Sequence, residues 1–236
     1  MIEKNILLIS DELNLLRTLR RNLISRGYEV LVALDDKEAS HSISKPDTSL
    51  YIISLDFETI EIDGLDIVRE IRENSSAPII VLSAVGSENL KIQALDLGAD
   101  DYLVMPFGMG EFLARVRATL RRWASQQKGS GNKNKMIISG NLQIDVDAHQ
   151  VRDSGELIHL TPLEYDLLYY LAENKGRVIT HRELLRKIWG PEYGDEREYL
   201  RVFVSQIRKK VEADPARPVY ILTEPRIGYR FAIDKE

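Results

Sequence analysis

Five short, nearly uninterrupted apolar runs mark the first half of the chain: Asn5–Ser10, Tyr28–Ala33, Leu50–Leu55, Pro78–Ser83 and Asp101–Val104. Runs of this kind predict strands buried on both faces of a sheet. Apolar residues recur at helical spacing in Leu13–Arg26, Asp36–Ser44, Leu65–Glu73, Glu88–Leu97 and Met109–Trp123, and Gly27 stands where it can cap the first of these helices. Regular alternation of strands and helices predicts an α/β domain: a doubly wound, five-stranded parallel sheet over residues 1–125. Ligands of such sheets sit at the C-terminal ends of the strands.

The pattern then breaks. Gln126–Lys135 reads QQKGSGNKNK, with no apolar residue to anchor it, and predicts a flexible linker. Its reach when fully extended is at most about 35 Å. Over 136–236 the periodicity changes. Ile137–His159 alternates apolar and polar residues around turn signals at Ser139-Gly140-Asn141 and Asp153-Ser154-Gly155, predicting a small antiparallel sheet. Thr161-Pro162-Leu163-Glu164 and Thr180-His181-Arg182-Glu183 both carry the T-x-x-E helix-start signature, the first with Pro at the first helical position. A third helix runs over Glu196–Glu212, and Val219–Ile233 predicts a hairpin turning near Pro225-Arg226. Sheet, three helices and a terminal hairpin make an α+β winged-helix layout.

Composition narrows the function. Absence of cysteine excludes disulfides, thiolate metal sites and a Cys nucleophile, and suits a reducing cytoplasm. Charges throughout residues 1–25 argue against a leader or a spanning segment, so a cytoplasmic protein with no membrane partner is expected. The net charge of −5 divides unevenly: residues 1–125 carry 14 Lys+Arg against 20 Asp+Glu, or −6, and residues 126–236 carry 18 against 17, or +1. Any affinity for nucleic acid must therefore come from where the cations cluster.

They cluster on the third helix. Leu200, Phe203, Val204, Ile207 and Val211 form a core-facing stripe, leaving Arg201, Ser205, Arg208 and Lys209 on another face with Val202 and Gln206 beside them. Such a surface suits the major groove: Arg grips guanine, Gln grips adenine and an apolar group touches the thymine methyl. Taken alone it also describes a solvated amphipathic helix. The hairpin tips the balance, since Arg226 near its tip is suited to the minor groove or a phosphate, and Thr223 to a phosphate.

LTPLEYDLLYYLA, REYLRVFVSQIRKKVEADPARPVYI and the closing GYRF, within residues 161–231, resemble the effector domain of OmpR/PhoB-type response regulators. The resemblance extends over nearly the whole chain and is closest to the KdpE branch of that family. It implies a receiver domain followed by a winged-helix DNA-binding domain, with Glu196–Glu212 as recognition helix and Ile221–Phe231 as wing. It implies double-stranded DNA with tandem half-sites as partner, RNA polymerase contact through the 189–196 loop, and a sensor histidine kinase upstream. Family members usually carry Gly or a small residue at the position of Arg226, so the reach of this wing departs from the pattern.

Asp11 follows the first strand, Asp56 the third, Ser83 ends the fourth and Met105 follows the fifth, so four strand ends converge. Aspartyl-phosphate chemistry needs a carboxylate nucleophile, a hard cation and positive charge facing the phosphoryl oxygens. By resemblance Asp56 is the candidate phosphoacceptor, Asp11 and Ser83 match the receiver set, Ser10 stands in place of a second acid, and Met105 in place of the Lys. Asp11 and Asp56 then make only a weak Mg²⁺ site, and no cofactor is required. At an effective dielectric of about 20, a cation about 4 Å from a unit charge is worth about 4 kcal/mol before desolvation, and Met105 forgoes it. Signalling without phosphate is the expectation, with conventional activation through phospho-Asp56 as the alternative.

The resemblance further implies a homodimer through the face made by Glu88–Leu97, Asp101–Val104 and Met109–Trp123. Lys91 would pair with Glu111, Asp101 with Arg115 and Asp100 with Arg122 across the two-fold axis, beside Leu95 and Ala118, as exposed ion pairs. Two other classes compete. A phosphatase-like enzyme using Asp11 and Asp56 lacks a glycine-rich phosphate loop, metal-type His/Asp spacing and a triad order, so no catalytic residue is assigned. A non-DNA-binding adaptor would lack the steep salt dependence of a DNA reader.

Overall fold

The computed structural model describes residues 5–44, 47–56, 64–127 and 135–233. It divides into two compact units, Met1–Ala124 and Ser125–Glu236.

The first unit alternates β1 (Asn5–Ile9), α1 (Leu13–Ile24), β2 (Glu29–Ala33), α2 (Asp36–Ile43), β3 (Leu50–Ser54), α3 (Gly64–Asn74), β4 (Ile79–Ser83), α4 (Glu88–Asp96), β5 (Asp101–Val104) and α5 (Met109–Gln127). Its five strands are all parallel, in the order β2-β1-β3-β4-β5. Period-two alternation sends Ile6, Leu8, Leu50, Ile52, Ile80 and Leu82 into one core with α1 and α5, through Leu16, Leu19, Phe112 and Val116. The intervening residues of the strands are buried as well, as are Ile67, Val68 and Ile71 of α3. Burial on both faces holds for β1, β3 and β4 but fails for β2, where Glu29 and Leu31 are exposed. β2 is an edge strand, but so is β5, which stays largely buried, so the exposure of β2 reflects incomplete cover of its faces and not edge position alone.

The predicted linker begins too early. α5 continues through Gln127, and Lys135 belongs to the second unit, where its ammonium meets Glu173 at 2.6 Å and the Tyr169 hydroxyl at 3.0 Å. The remainder of that stretch, 128–134, lies outside the described residues.

The second unit opens with a four-stranded antiparallel meander, β6 (Met136–Ser139), β7 (Leu142–Asp145), β8 (Gln150–Asp153) and β9 (Glu156–Ile158). α6 (Pro162–Glu173), β10 (Val178–Thr180), α7 (His181–Ile188), α8 (Arg197–Val211), β11 (Ile221–Glu224) and β12 (Gly228–Phe231) follow. β10 was not foreseen; its β-branched Val178-Ile179-Thr180 is too short to register as a period. It pairs with β12 in a three-stranded sheet ordered β10-β12-β11. Gly228 is obligatory at that crossing, because a Cβ there would lie 1.9 Å from the Ile179 carbonyl oxygen.

The helix starts divide. Thr161 and Glu164 form a reciprocal capping box. At α7, Thr180 accepts from the Glu183 N–H, but the Glu183 carboxylate turns to the Tyr170 hydroxyl (3.0 Å) and Arg177 (3.0 Å), so the second box is only half formed. Glu212, at the C-terminus of α8, is 7% exposed, and its carboxylate accepts the N–H groups of Val219 (2.8 Å), Tyr220 (2.9 Å) and Ile221 (2.9 Å). It fixes the chain's entry into β11. Glu212→Ala leaves those donors without their acceptor and is expected to cost roughly 3 kcal/mol. In thermal unfolding this should lower the Tm of the second unit by about 10–20 °C; an unchanged Tm would mean that water serves these groups equally well.

Candidate nucleic-acid interface and acidic pocket

α8 is held by its apolar side. Tyr199, Leu200, Phe203, Val204, Ile207 and Val211 are all buried, and Trp189 packs edge-on against Tyr199 and Phe203 at 5.8 and 5.2 Å between ring centroids. On the opposite side Arg201, Ser205 and Lys209 are exposed one turn apart. Arg197, a turn before Arg201, extends the same exposed row; the sequence reading overlooked it, although its i−4 spacing is visible. Gln206 is half-buried at the margin.

Two expected base-reading residues are corrected. Val202 is only 6% exposed, because its position adjoins the apolar stripe and its methyl groups point into the domain. Arg208 is half-buried and engaged: Nε and Nη2 donate to the Ile221 carbonyl at 3.1 and 2.6 Å, and Nη2 donates to the Thr223 hydroxyl at 2.8 Å. Burial pushes its guanidinium below the ordinary pKa, against the opposing pull of Tyr229 and Glu212. Arg208 therefore braces the helix to the hairpin. Thr223 is exposed but already accepts from Arg208. Lys210, next along the helix, pairs at 2.6 Å with the buried Glu164 carboxylate.

The hairpin tip is a four-residue turn closed by Ile227 N–H to the Glu224 carbonyl at 3.0 Å. Pro225 occupies its second position, and Arg226 the third with φ +66. A positive φ at that position is the mark of a type II turn, which favours Gly. An L side chain there costs roughly 1–2 kcal/mol. The turn geometry is thus the physical reason a Gly would be at home at the position of Arg226. Both Arg226 and Ile227 are exposed, and Arg230 meets Glu224 at 2.8 Å just behind the tip.

His181 sits between α8 and the hairpin, edge-on to Tyr229 with ring centroids 5.7 Å apart. Burial, and then Arg197 and Arg201, hold its pKa below the ordinary 6.5. In the 189–196 loop, Trp189 and Tyr193 are buried anchors, while Pro191, Glu192 and Asp195 are exposed.

In the first unit the ends of β3 and β4 meet at Asp56 and Ser83. Asp56 accepts the Ser83 hydroxyl at 3.0 Å on one carboxylate oxygen and the Ala84 N–H on the other. Ser10 is 2% exposed, and its hydroxyl accepts the Glu12 N–H at 3.1 Å. Asp11 and Met105 are half-buried, and the Met105–Pro106 peptide is cis. Among the described residues no three His, Asp or Glu side chains gather as a metal-binding group. Ser10 turned to a backbone donor leaves Asp11 and Asp56 as the carboxylates at these strand ends. Tyr102, which the sequence reading passed over, borders this pocket: it is buried and donates to the Val85 carbonyl at 2.7 Å. Burial pushes its hydroxyl pKa up, Ser83 opposing and Asp56 assisting.

The α4–β5–α5 face differs from expectation. Asp101 is fully buried and pairs with Arg115 of its own chain at 3.0 Å, and Arg115 also meets Glu111 at 2.8 Å. Asp100 is 2% exposed; it accepts from Arg72 at 2.9 Å and from the Ile79 N–H at 2.8 Å. Burial pushes the Asp100 carboxyl up, and Arg72, the Ile79 N–H and Arg122 pull it down. Leu95 and Ala118 are buried too. The expected exposed pairs from Asp101 to Arg115 and from Asp100 to Arg122 are therefore corrected: these carboxylates lie at the sheet edge beneath the helices, where nearby cations of the same chain satisfy them. Glu111 is exposed and Lys91 half-exposed.

Comparison with known proteins gives a consistent picture. Residues 6–117 match the response regulator receiver domain, and residues 155–231 match the C-terminal domain of transcriptional regulatory proteins. The chain is 41% identical over 228 residues to the transcriptional regulatory protein KdpE of Mycobacterium tuberculosis, covering 96% of this chain and 98% of that one. It is 39% identical over 231 residues to the KDP operon transcriptional regulatory protein KdpE of Escherichia coli, covering 97% and 99%. Among solved structures, a cysteine-to-serine variant of RitR matches with TM-score 0.76 at 25% identity, covering 97% of this chain and 98% of that one. The OmpR/PhoB homologue DrrB of Thermotoga maritima matches with TM-score 0.50 at 28% identity, covering 97% and 99%.

Proposed function

The chain belongs to the OmpR/PhoB-type response regulators, and from that premise we propose that it reads DNA with Arg197, Arg201, Ser205 and Lys209 in the major groove and Arg226 in the minor groove. As a DNA-binding two-component response regulator it has DNA and a kinase as implied partners. The observation that carries the finer reading is the exposed row of cations on α8, opposite a fully packed apolar side, together with the exposed Arg226 at the tip of the hairpin that Arg208 ties to α8. Arg208 serves as a brace: Arg208→Ala should lower both Tm and affinity, whereas Arg201→Ala should lower affinity alone. A salt titration of duplex binding tests the reading, since a groove reader loses affinity steeply as salt rises.

His181 makes binding sensitive to pH. Its depressed pKa means the unfolded chain holds more protons below about pH 6.5, so the second unit loses stability as pH falls through that range. Phosphates against Arg197 and Arg201 offset those cations and raise the His181 pKa, so complex formation takes up a proton. Duplex affinity, measured by fluorescence anisotropy, is expected to rise as pH falls from 7.5 to 6.0, and His181→Gln should flatten the profile.

In this reading the receiver controls DNA binding without relying on phosphate, because Ser10 and Met105 replace the acid and the cation of the phosphorylation site. It forms a homodimer on the α4–β5–α5 face with Lys91 and Glu111 as the outward charges, engages tandem half-sites, and contacts RNA polymerase through exposed Glu192 and Asp195. Lys91→Glu with Glu111→Lys should restore a dimer that either change weakens, as judged by sedimentation. Conventional activation through phospho-Asp56 is the second reading; the Ser83 hydroxyl and Ala84 N–H already pointing at Asp56 favour it.

A further inference from the structure

The open edge of the receiver sheet carries a feature that none of the residues assigned above uses. Between α1 and β2 lies a groove of about 880 Å³. This falls within the roughly 300–1,000 Å³ typical of small-molecule sites. Leu13 (52% exposed), Ile24 (45%) and Leu31 (53%) line it. Single exposed leucines need no explanation, but several lining one concavity do.

The α1 wall of the groove carries Arg17, Arg20 and Arg21, all exposed. The first unit is acidic overall, yet among the described residues none of these three makes an ion pair or side-chain hydrogen bond. Arg21 has the carbonyl end of α1 to face. Arg17 and Arg20 have no such reason to be there. Helical spacing places Leu13, Arg17, Arg20 and Ile24 in one row, so two adjacent cations are flanked by apolar groups along a single wall.

We infer that this groove binds a free single-chain amphiphile, an aliphatic tail ending in an anionic head, with the head against Arg17 and Arg20 and the tail along β2. Charge complementarity supplies the head, and the aliphatic lining supplies the tail. No aromatic side chain lines the groove, so a nucleobase finds no stacking platform.

Isothermal titration of the full chain with octanoate and decanoate, both below their micelle concentrations, tests this. One site per chain is expected, with decanoate binding about 4- to 16-fold tighter than octanoate for its two extra methylenes. Arg17→Ala with Arg20→Ala should weaken decanoate at least tenfold while leaving Tm unchanged, since both side chains are exposed. Leu31→Asp should do the same, and 1-decanol should bind at least tenfold more weakly than decanoate. The proposal is overturned if decanol matches decanoate, if the Arg variant binds normally, or if chain length has no effect. It is equally overturned if only anionic phospholipid vesicles or an acidic amphipathic peptide bind.

Discussion

Arg201→Ala combined with Arg226→Ala should reduce affinity for a cognate duplex at least about 30-fold and leave thermal unfolding unaffected. Both side chains are exposed, and neither braces the fold. Each base-edge or groove contact of this kind is worth roughly 1–3 kcal/mol, and each cation removed from a phosphate-lined surface lowers the salt slope by about one. The slope of log K against log salt should therefore fall by up to about two for the pair. Arg226→Gly separates shape from charge. It relieves the positive-φ strain at the turn, so Tm should stay level or rise slightly, while affinity falls as it does for Ala. Retained promoter occupancy in the double variant would remove the groove assignment altogether.

The second large effect lies in the receiver. The unmodified chain should change its DNA affinity by less than about threefold when beryllofluoride and Mg²⁺ are added, because a phosphoryl mimic at Asp56 would face Met105 where charge is needed. Ser10→Asp with Met105→Lys supplies a further carboxylate and the missing cation. At an effective dielectric of about 20, such a cation contributes about 4 kcal/mol before desolvation. Half of that, about 2 kcal/mol, corresponds to roughly a 30-fold change in affinity or dimer formation. A gain of at least tenfold in the double variant alone is the expected outcome. A comparable gain in the unmodified chain would establish the phospho-Asp56 reading instead. Ser10 is nearly closed from solvent and serves the Glu12 N–H, so the Ser10→Asp variant alone should also lower Tm somewhat.

The two-unit architecture follows from linear information. Period-two and 3.6-residue patterns are imposed by which side chains must leave water, and they repeat often enough along 1–125 to announce five strands and five helices. Helix starts at Thr161 and Thr180 were legible because caps are local: Thr161 satisfies the Glu164 N–H only three residues away. The meeting of Asp56 and Ser83 was also legible, since parallel topology sets the ends of neighbouring strands side by side.

What the chain order left open was decided by contacts distant in sequence. Nothing near Arg208 indicates that it will spend its donors on Ile221 and Thr223, 13 and 15 residues away, rather than on a base. Val202 and Arg201 are neighbours, and only the packing of α8 on the domain body makes one buried and the other exposed. Asp101 and Arg115 look like partners for another molecule until the sheet edge closes over them and they find each other. β2 reads like an interior strand until the fold leaves its faces incompletely covered. Sequence by itself determined which elements form and where chemistry gathers, because those depend on local periodicity and capping. Tertiary structure decided which charges face outward, because a buried polar group takes whatever partner the fold brings within reach.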